Sequence, residues 1–276
     1  NHRFYNLLFN QFYNYHFSYK VSTVKIESFV KKRLINNEFY DEGSSFYHFG
    51  IIDSLFKLKD FVSDKYTDCF STEFNKYLVE SKKTLHVFGK LNFGDRDGTI
   101  INNNFNNKVN TKNKYFKVTL NNSKWFLKSF KDKYIFFRKE NWTNLGTNGH
   151  VHDDSGNFLM TNGVNSIYDL GTYKYLNEPK YCKANYHNFP YSRHIQEMDY
   201  KSKFERLPNK KVLISEQENK INLSKSNNLV TLTRSFDSEY FKVEDYLFLK
   251  DNSSVNIVWT FFVSYNCVVC NDTKKQ

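Results

Sequence analysis

The apolar positions of this chain change period along its length and divide it into three zones. Over residues 1–84 the spacing is helical. Phe4, Leu8 and Phe12 stand at i, i+4 and i+8 with Leu7 beside them, which makes one apolar stripe. Ser44 and Ser45 are suited to capping a helix that carries Phe46, Phe49, Ile52, Phe56 and Phe61. Ser71 or Thr72 can start another, with Glu73 in the favourable first turn and Lys82 and Lys83 near the negative end.

Residues 85–195 switch to period two. His86 to Phe88, stopped by Gly89, reads as a short strand, and 95–113 as a polar, Asn-rich loop. Three alternating segments follow, at 114–120, 124–130 and 133–139, parted by the short turns Asn121-Asn122-Ser123 and Lys131-Asp132. Closely spaced alternating segments predict an antiparallel meander. A polar, basic stretch at 196–211 reads as a linker. Residues 212–276 return to strands, at 212–215, 229–234, 246–249 and 255–269. The expected fold class is therefore α+β: a helical N-terminal region, then mainly antiparallel β-sheet, in two lobes joined near 196–211.

Composition raises the threshold for every motif. The 276 residues contain 28 Phe, 20 Tyr, 10 Gly and 3 Pro, with one Ala, 33 Lys and only 7 Arg. The scarce residues are those with G- and C-rich codons, which points to an AT-rich genome such as that of an organelle, a parasite or a virus. Mutational bias thus supplies much of the Lys, Asn and Phe. The first residue is Asn1, as expected of a processed product, a piece of a polyprotein or a sequence that begins partway along, and no secretory signal pattern is visible. The most apolar run, Val255 to Cys270, is broken by Asn256 and Asn266, so no membrane span is expected. Cys69, Cys182, Cys267 and Cys270 are too sparse for a disulfide scaffold. Five glycosylation sequons are about what 35 Asn would produce by chance.

Charge is uneven. Between residues 108 and 139 there are ten basic side chains and one acid, Asp132, so this window carries +9 of the net +11. Rings lie between the cations. On a small sheet, Lys114, Lys117, Lys124, Trp125, Phe126, Lys128, Lys133, Tyr134, Arg138 and Lys139 would offer ammonium groups to phosphates and rings to bases, as single-stranded nucleic acid prefers. Lys outnumbers Arg there, so such contact would be tolerant of base sequence. A second constellation is Gly149-His150-Val151-His152-Asp153-Asp154. Its His-x-His-x-Asp spacing is similar to the binding signature of metallo-β-lactamase-type hydrolases, with Ser155 where that pattern has a further His. His150, His152 and Asp154 are the candidate zinc ligands, and His187 and His194 could complete a site from a distance. Cys267 and Cys270 sit in strand-like surroundings that point their side chains to opposite faces. No cofactor other than zinc is suggested.

These features predict a non-enzymatic structural component of a larger assembly, ribosome-like or another ribonucleoprotein particle. It would contact RNA or another polyanion through 108–139, and neighbouring subunits through the aromatic stripe from Phe4 to Tyr19. An organelle matrix, mitochondrion-like, is the compartment that composition suggests. Two alternatives stand beside it: a metal-dependent hydrolase built on His150, His152 and Asp154, and a viral or parasite structural or surface protein processed at Asn1.

Overall fold

The computed structural model describes residues 2–35, 39–40, 44–66, 68–88, 118–121, 125–130, 133–139, 150–162, 166–170, 182–195, 198–200, 206–208, 212–250 and 254–263. Among them, helices come first and antiparallel strands follow, an α+β fold. Helices α1 (His2–His16) and α2 (Val24–Lys31) precede the short strands β1 (Leu34–Ile35) and β2 (Phe39–Tyr40). Helices α3 (Ser45–Phe61) and α4 (Thr72–Phe88) follow. No helix of the described residues is long and apolar enough to cross a membrane.

The helical part has its own core. Phe4 and Leu8 of α1, Ile26 and Val30 of α2, Ile51, Ile52, Leu55 and Leu58 of α3, and Phe74 and Leu78 of α4 are buried together. Full burial of such a side chain is worth about 1.5–3 kcal/mol, so this set can hold short helices that would not persist alone. Capping is local: the Ser44 hydroxyl accepts from Phe46 N, and the Ser71 hydroxyl from Phe74 N. Glu73 is engaged by Lys31 of α2 at 2.6 Å. The α3 stripe is rotated from its expected phase. Ile52 faces inward as predicted, but Phe46, Phe49 and Phe56 are only half-buried and Phe61 is exposed. The buried line is His48, Ile51, Ile52, Leu55 and Leu58. On α1, Tyr5, Phe9 and Tyr13 form an outward aromatic row, and only part of the Phe4–Tyr19 stripe is core.

Residues His86 to Phe88 continue α4 rather than forming a strand, since a helix in progress gains a backbone bond with each added residue. The expected loop at 95–113 lies outside the described residues, as do Cys267 and Cys270.

The meander is present and longer than predicted. Strands β3 (Val118–Asn121), β4 (Trp125–Phe130), β5 (Lys133–Arg138), β6 (Phe158–Thr161) and β7 (Ser166–Ile167) lie side by side in that order, each pair antiparallel. Strand β8 (Pro190–Tyr191) pairs with β15 (Val258–Trp259), the last of the described strands. The stretch expected as a linker holds β9 (Met198–Tyr200) and β10 (Arg206–Pro208), paired antiparallel. A second sheet has the order β11 (Leu213–Gln217), β12 (Lys220–Ser226), β13 (Val230–Asp237) and β14 (Lys242–Leu249). The two sheets share one core: Phe126, Ile135, Phe137 and Phe158 from the first meet Ile221, Leu223, Val230, Leu232 and Phe236 from the second. Phe137 and Phe236 stack at 5.0 Å with an interplanar angle of 9°. The β regions on either side of 196–211 are thus layers of one packed unit.

His48, on α3, has no solvent exposure, and burial alone pushes its pKa down to about 3. An unfolded chain would take up that proton near pH 6.5. Stability contributed by neutral His48 is therefore complete above about pH 6.5 and falls as the pH drops towards 3. The melting temperature should decline between pH 6.5 and 4, and His48→Gln should flatten that decline when both proteins are melted across the range.

Candidate metal centre and the Tyr47–His150 contact

The loop after β5 decides the site. Residues 151–159 are all buried, which is unusual for a loop and obliges its polar groups to find partners. Arg138 N donates to Asn157 O at 2.8 Å, and Gly156 N donates to Arg138 O at 2.7 Å, so the loop closes back on the end of β5. Asp153 N donates to Cys182 O at 2.8 Å and ties it to the segment that holds His187. Gly156 has φ +85°, and a Cβ there would lie 2.5 Å from the Phe189 ring, so only glycine fits this turn.

Three side chains converge inside. His152, Asp169 and His187 are buried, and each offers one ligand atom within 4.8 Å of the others. Asp169 Oδ2 lies 2.7 Å from His187 Nδ1 and accepts from Asn157 Nδ2 at 2.6 Å. The His152 and His187 ring centroids are 5.2 Å apart. His187 Nε2 is buried and makes no hydrogen bond among the described residues. Two imidazoles and one carboxylate are a donor set that zinc takes, and an orphaned, buried imidazole nitrogen is the kind of atom a cation would satisfy. The residues fit a zinc ion. Asn157 and Asn188 form the surrounding shell. Asn188 N donates to Asn157 Oδ1 at 3.1 Å, and Asn188 Nδ2 donates to Phe158 O at 3.1 Å and Tyr168 O at 3.0 Å.

This differs from the expected trio of His150, His152 and Asp154. His152 belongs to the cluster, and His187 joins it from a distance as anticipated. Asp154 instead faces Arg138, with Oδ1 3.6 Å from Nε, both side chains almost wholly buried. His150 lies across from the helical part: its ring is 4.0 Å, centroid to centroid, from that of Tyr47 on α3, at 32°. In an extended chain, residues two apart would share a face; here the buried turn sends His150 one way and His152 the other. His194 is half-buried, and its backbone oxygen accepts from Asn227. Asp169 had no local signal, because it stands with no other His, Cys or acidic residue near it, 17 positions past His152.

The basic meander is also rearranged relative to expectation. Lys114, Lys117 and Lys124 lie outside the described residues. Trp125, Phe126, Tyr134, Arg138 and Lys139 are buried, so these rings and cations do not form an open stacking platform. The sheet is covered on both faces, which is why neighbours such as Trp125 and Phe126 are buried together. Lys139 Nζ reaches Glu216 at 2.6 Å and also donates to Asn121 Oδ1. Burial pulls the Lys139 pKa below the ordinary lysine value while Glu216 pushes it back up. Lys128 donates to Ser238 O at 2.8 Å, with its ammonium 5.3 Å from the centre of the Phe241 ring. Lys133 is exposed.

Elemental analysis of the purified protein should find one zinc per chain. His152→Ala and Asp169→Asn should each lower zinc affinity at least about 100-fold in a chelator competition, and His150→Ala should not, because its ring lies outside the cluster.

No family model and no curated protein sequence matches the chain. A solved structure of heparinase III is similar in fold, with a TM-score of 0.53 and 16% sequence identity over 76% of this chain. The chain spans 38% of the length of that protein.

Proposed function

We propose that this chain is part of a protein that cleaves an acidic polysaccharide by β-elimination, with Tyr47 and His150 as the reacting pair. The observation that carries the reading is the 4.0 Å contact between these two rings, one from the helical part and one from the loop of the β part. Both are half-buried, so a substrate can reach them. The likeness in fold to heparinase III, a polysaccharide lyase, gives the pair a reaction to be weighed against. The net charge of +11 suits a polyanion, and an acidic glycan is a polyanion as an RNA is.

In a uronate polymer the proton on C5 is acidified by the adjacent carboxylate. A neutral imidazole has a lone pair to accept that proton, and a phenol has one to give. His150 takes the C5 proton, the electron pair forms the C4–C5 double bond, and the C4–O bond breaks. Tyr47 donates its hydroxyl proton to the departing oxygen. No water is consumed, and the new end of the chain is an unsaturated uronate. Zinc held by His152, Asp169 and His187 would supply a rigid tie for the loop. The chain's own residues do the rest: the buried Arg138–Asp154 pair and the Gly156 turn fix the direction in which His150 leaves that loop.

Full-length protein incubated with heparin and with other uronate polymers should produce ultraviolet absorbance from the unsaturated product. Tyr47→Phe and His150→Ala should each lower the rate about 10²–10⁴-fold with zinc content unchanged. A folded, zinc-bearing protein that yields no such product from any uronate polymer, or variants as active as the parent, would overturn the reading.

A further inference from the structure

Arg234 occupies a position where the strand pattern calls for an apolar residue. On β13 the buried face is Val230, Leu232, Arg234 and Phe236, and Arg234 has no exposure to solvent. A guanidinium fully removed from water is costly unless its donors are engaged. Here Nε and Nη2 each donate to an Asp245 oxygen at 2.7 Å, a two-pronged pair across the β13–β14 ladder, where the two residues are directly opposite. Nη1 turns inward and donates to two backbone carbonyls, Gly156 O at 2.9 Å and Asn188 O. Its guanidinium also lies 4.7 Å from the centre of the Phe189 ring.

Those two carbonyls are well placed. Gly156 precedes Asn157, whose side chain bonds Asp169 and the Asn188 backbone, and Asn188 follows His187 directly. A single nitrogen of the second sheet therefore joins the loop that carries His152 to the segment that carries His187. We propose that Arg234, held by Asp245, is a positioning residue for the metal centre, fixing the spacing of the two histidine-bearing loops. This rests on the zinc reading of His152, Asp169 and His187, and is independent of the elimination chemistry. Lysine could keep the charge but not the arrangement, since an ammonium cannot grip a carboxylate at two points and still reach two carbonyls in fixed directions.

The test uses the full chain stripped of metal and titrated with zinc against a chelator, and separately with cobalt, whose visible bands report ligand geometry. Three variants are compared: Arg234→Lys, Asp245→Asn, and Leu232→Ala, a control that loosens the same buried face of β13 but removes none of the Arg234 hydrogen bonds. Melting of each metal-free protein gives its loss of stability. Expected is a 10–100-fold weaker zinc affinity and altered cobalt bands for Arg234→Lys and Asp245→Asn, with the control binding like the parent at a comparable loss of stability. If Arg234→Lys does not fold, Asp245→Asn decides alone, because it keeps the guanidinium and removes only its anchor charge. The proposal is overturned if Asp245→Asn binds zinc as tightly as the parent with unchanged cobalt bands, or if the control weakens binding equally. A parent protein that binds no zinc removes the metal reading itself, and the positioning role with it.

Discussion

Removing charge from water is the constraint around which the β part of this protein is organised. Arg138, Lys139, Asp153, Asp154, Asp169, Lys225 and Arg234 are all buried, within or beside two sheets that otherwise pack apolar faces together. Each would destabilise the fold severely if left alone. The structure answers by setting most of them against an opposite charge, a carbonyl or a ring. Arg234 grips Asp245 and two carbonyls, Arg138 faces Asp154, Lys139 reaches Glu216, and Lys225 places its ammonium 3.9 Å from the centre of the Phe189 ring. The buried loop at 151–159 is tied down by backbone bonds to Arg138 and Cys182 and by Arg234 on the Gly156 carbonyl, while both Asp154 carboxylate oxygens and the Ser155 hydroxyl are buried without a hydrogen bond among the described residues.

That arrangement bears on the proposed chemistry. A loop tied to both β5 and the His187 segment is held in place, and the proposed role of the imidazole at its edge requires such a fixed position. Gly156 permits the turn, Asn157 and Asn188 hold the inner shell, and the His152, Asp169 and His187 donors face one another within it. His150 then projects towards Tyr47, so the two parts of the chain meet where each contributes one ring. The helical core and the β core are separate clusters of buried side chains, and this contact gives the proposed chemistry its place between them.

The positive stretch at 108–139 takes a different meaning in this setting. Several of its described cations are structural: Arg138 is enclosed with Asp154, buried Lys139 reaches the exposed Glu216, and Lys128 is bonded to the backbone oxygen of Ser238 in the turn between β13 and β14. For Arg138 and Lys139 the acidic partners come from outside the stretch. Asp154 and Glu216 lie well away in sequence, so a local count of charge registers the bases without the acids that neutralise them.

Period and punctuation in the sequence determined the order of elements: helices with serine caps at Ser44 and Ser71, then an antiparallel meander with strands near 118–121, 125–130 and 133–138. They did so because caps, turns and alternation are local, acting over a few residues. One further signal was present on the same terms: Lys225 and Arg234 interrupt alternating apolar faces, and arginine is rare in this composition. The phase of the α3 stripe, the burial of both faces of the meander, the joining of the two sheets and the choice of Asp169 over Asp154 were decided only by tertiary structure. Each depends on what comes to lie opposite a residue from a distant part of the chain. In a sequence crowded with Lys, Asn and Phe, spacing alone does not distinguish a side chain that meets a partner from one that meets water.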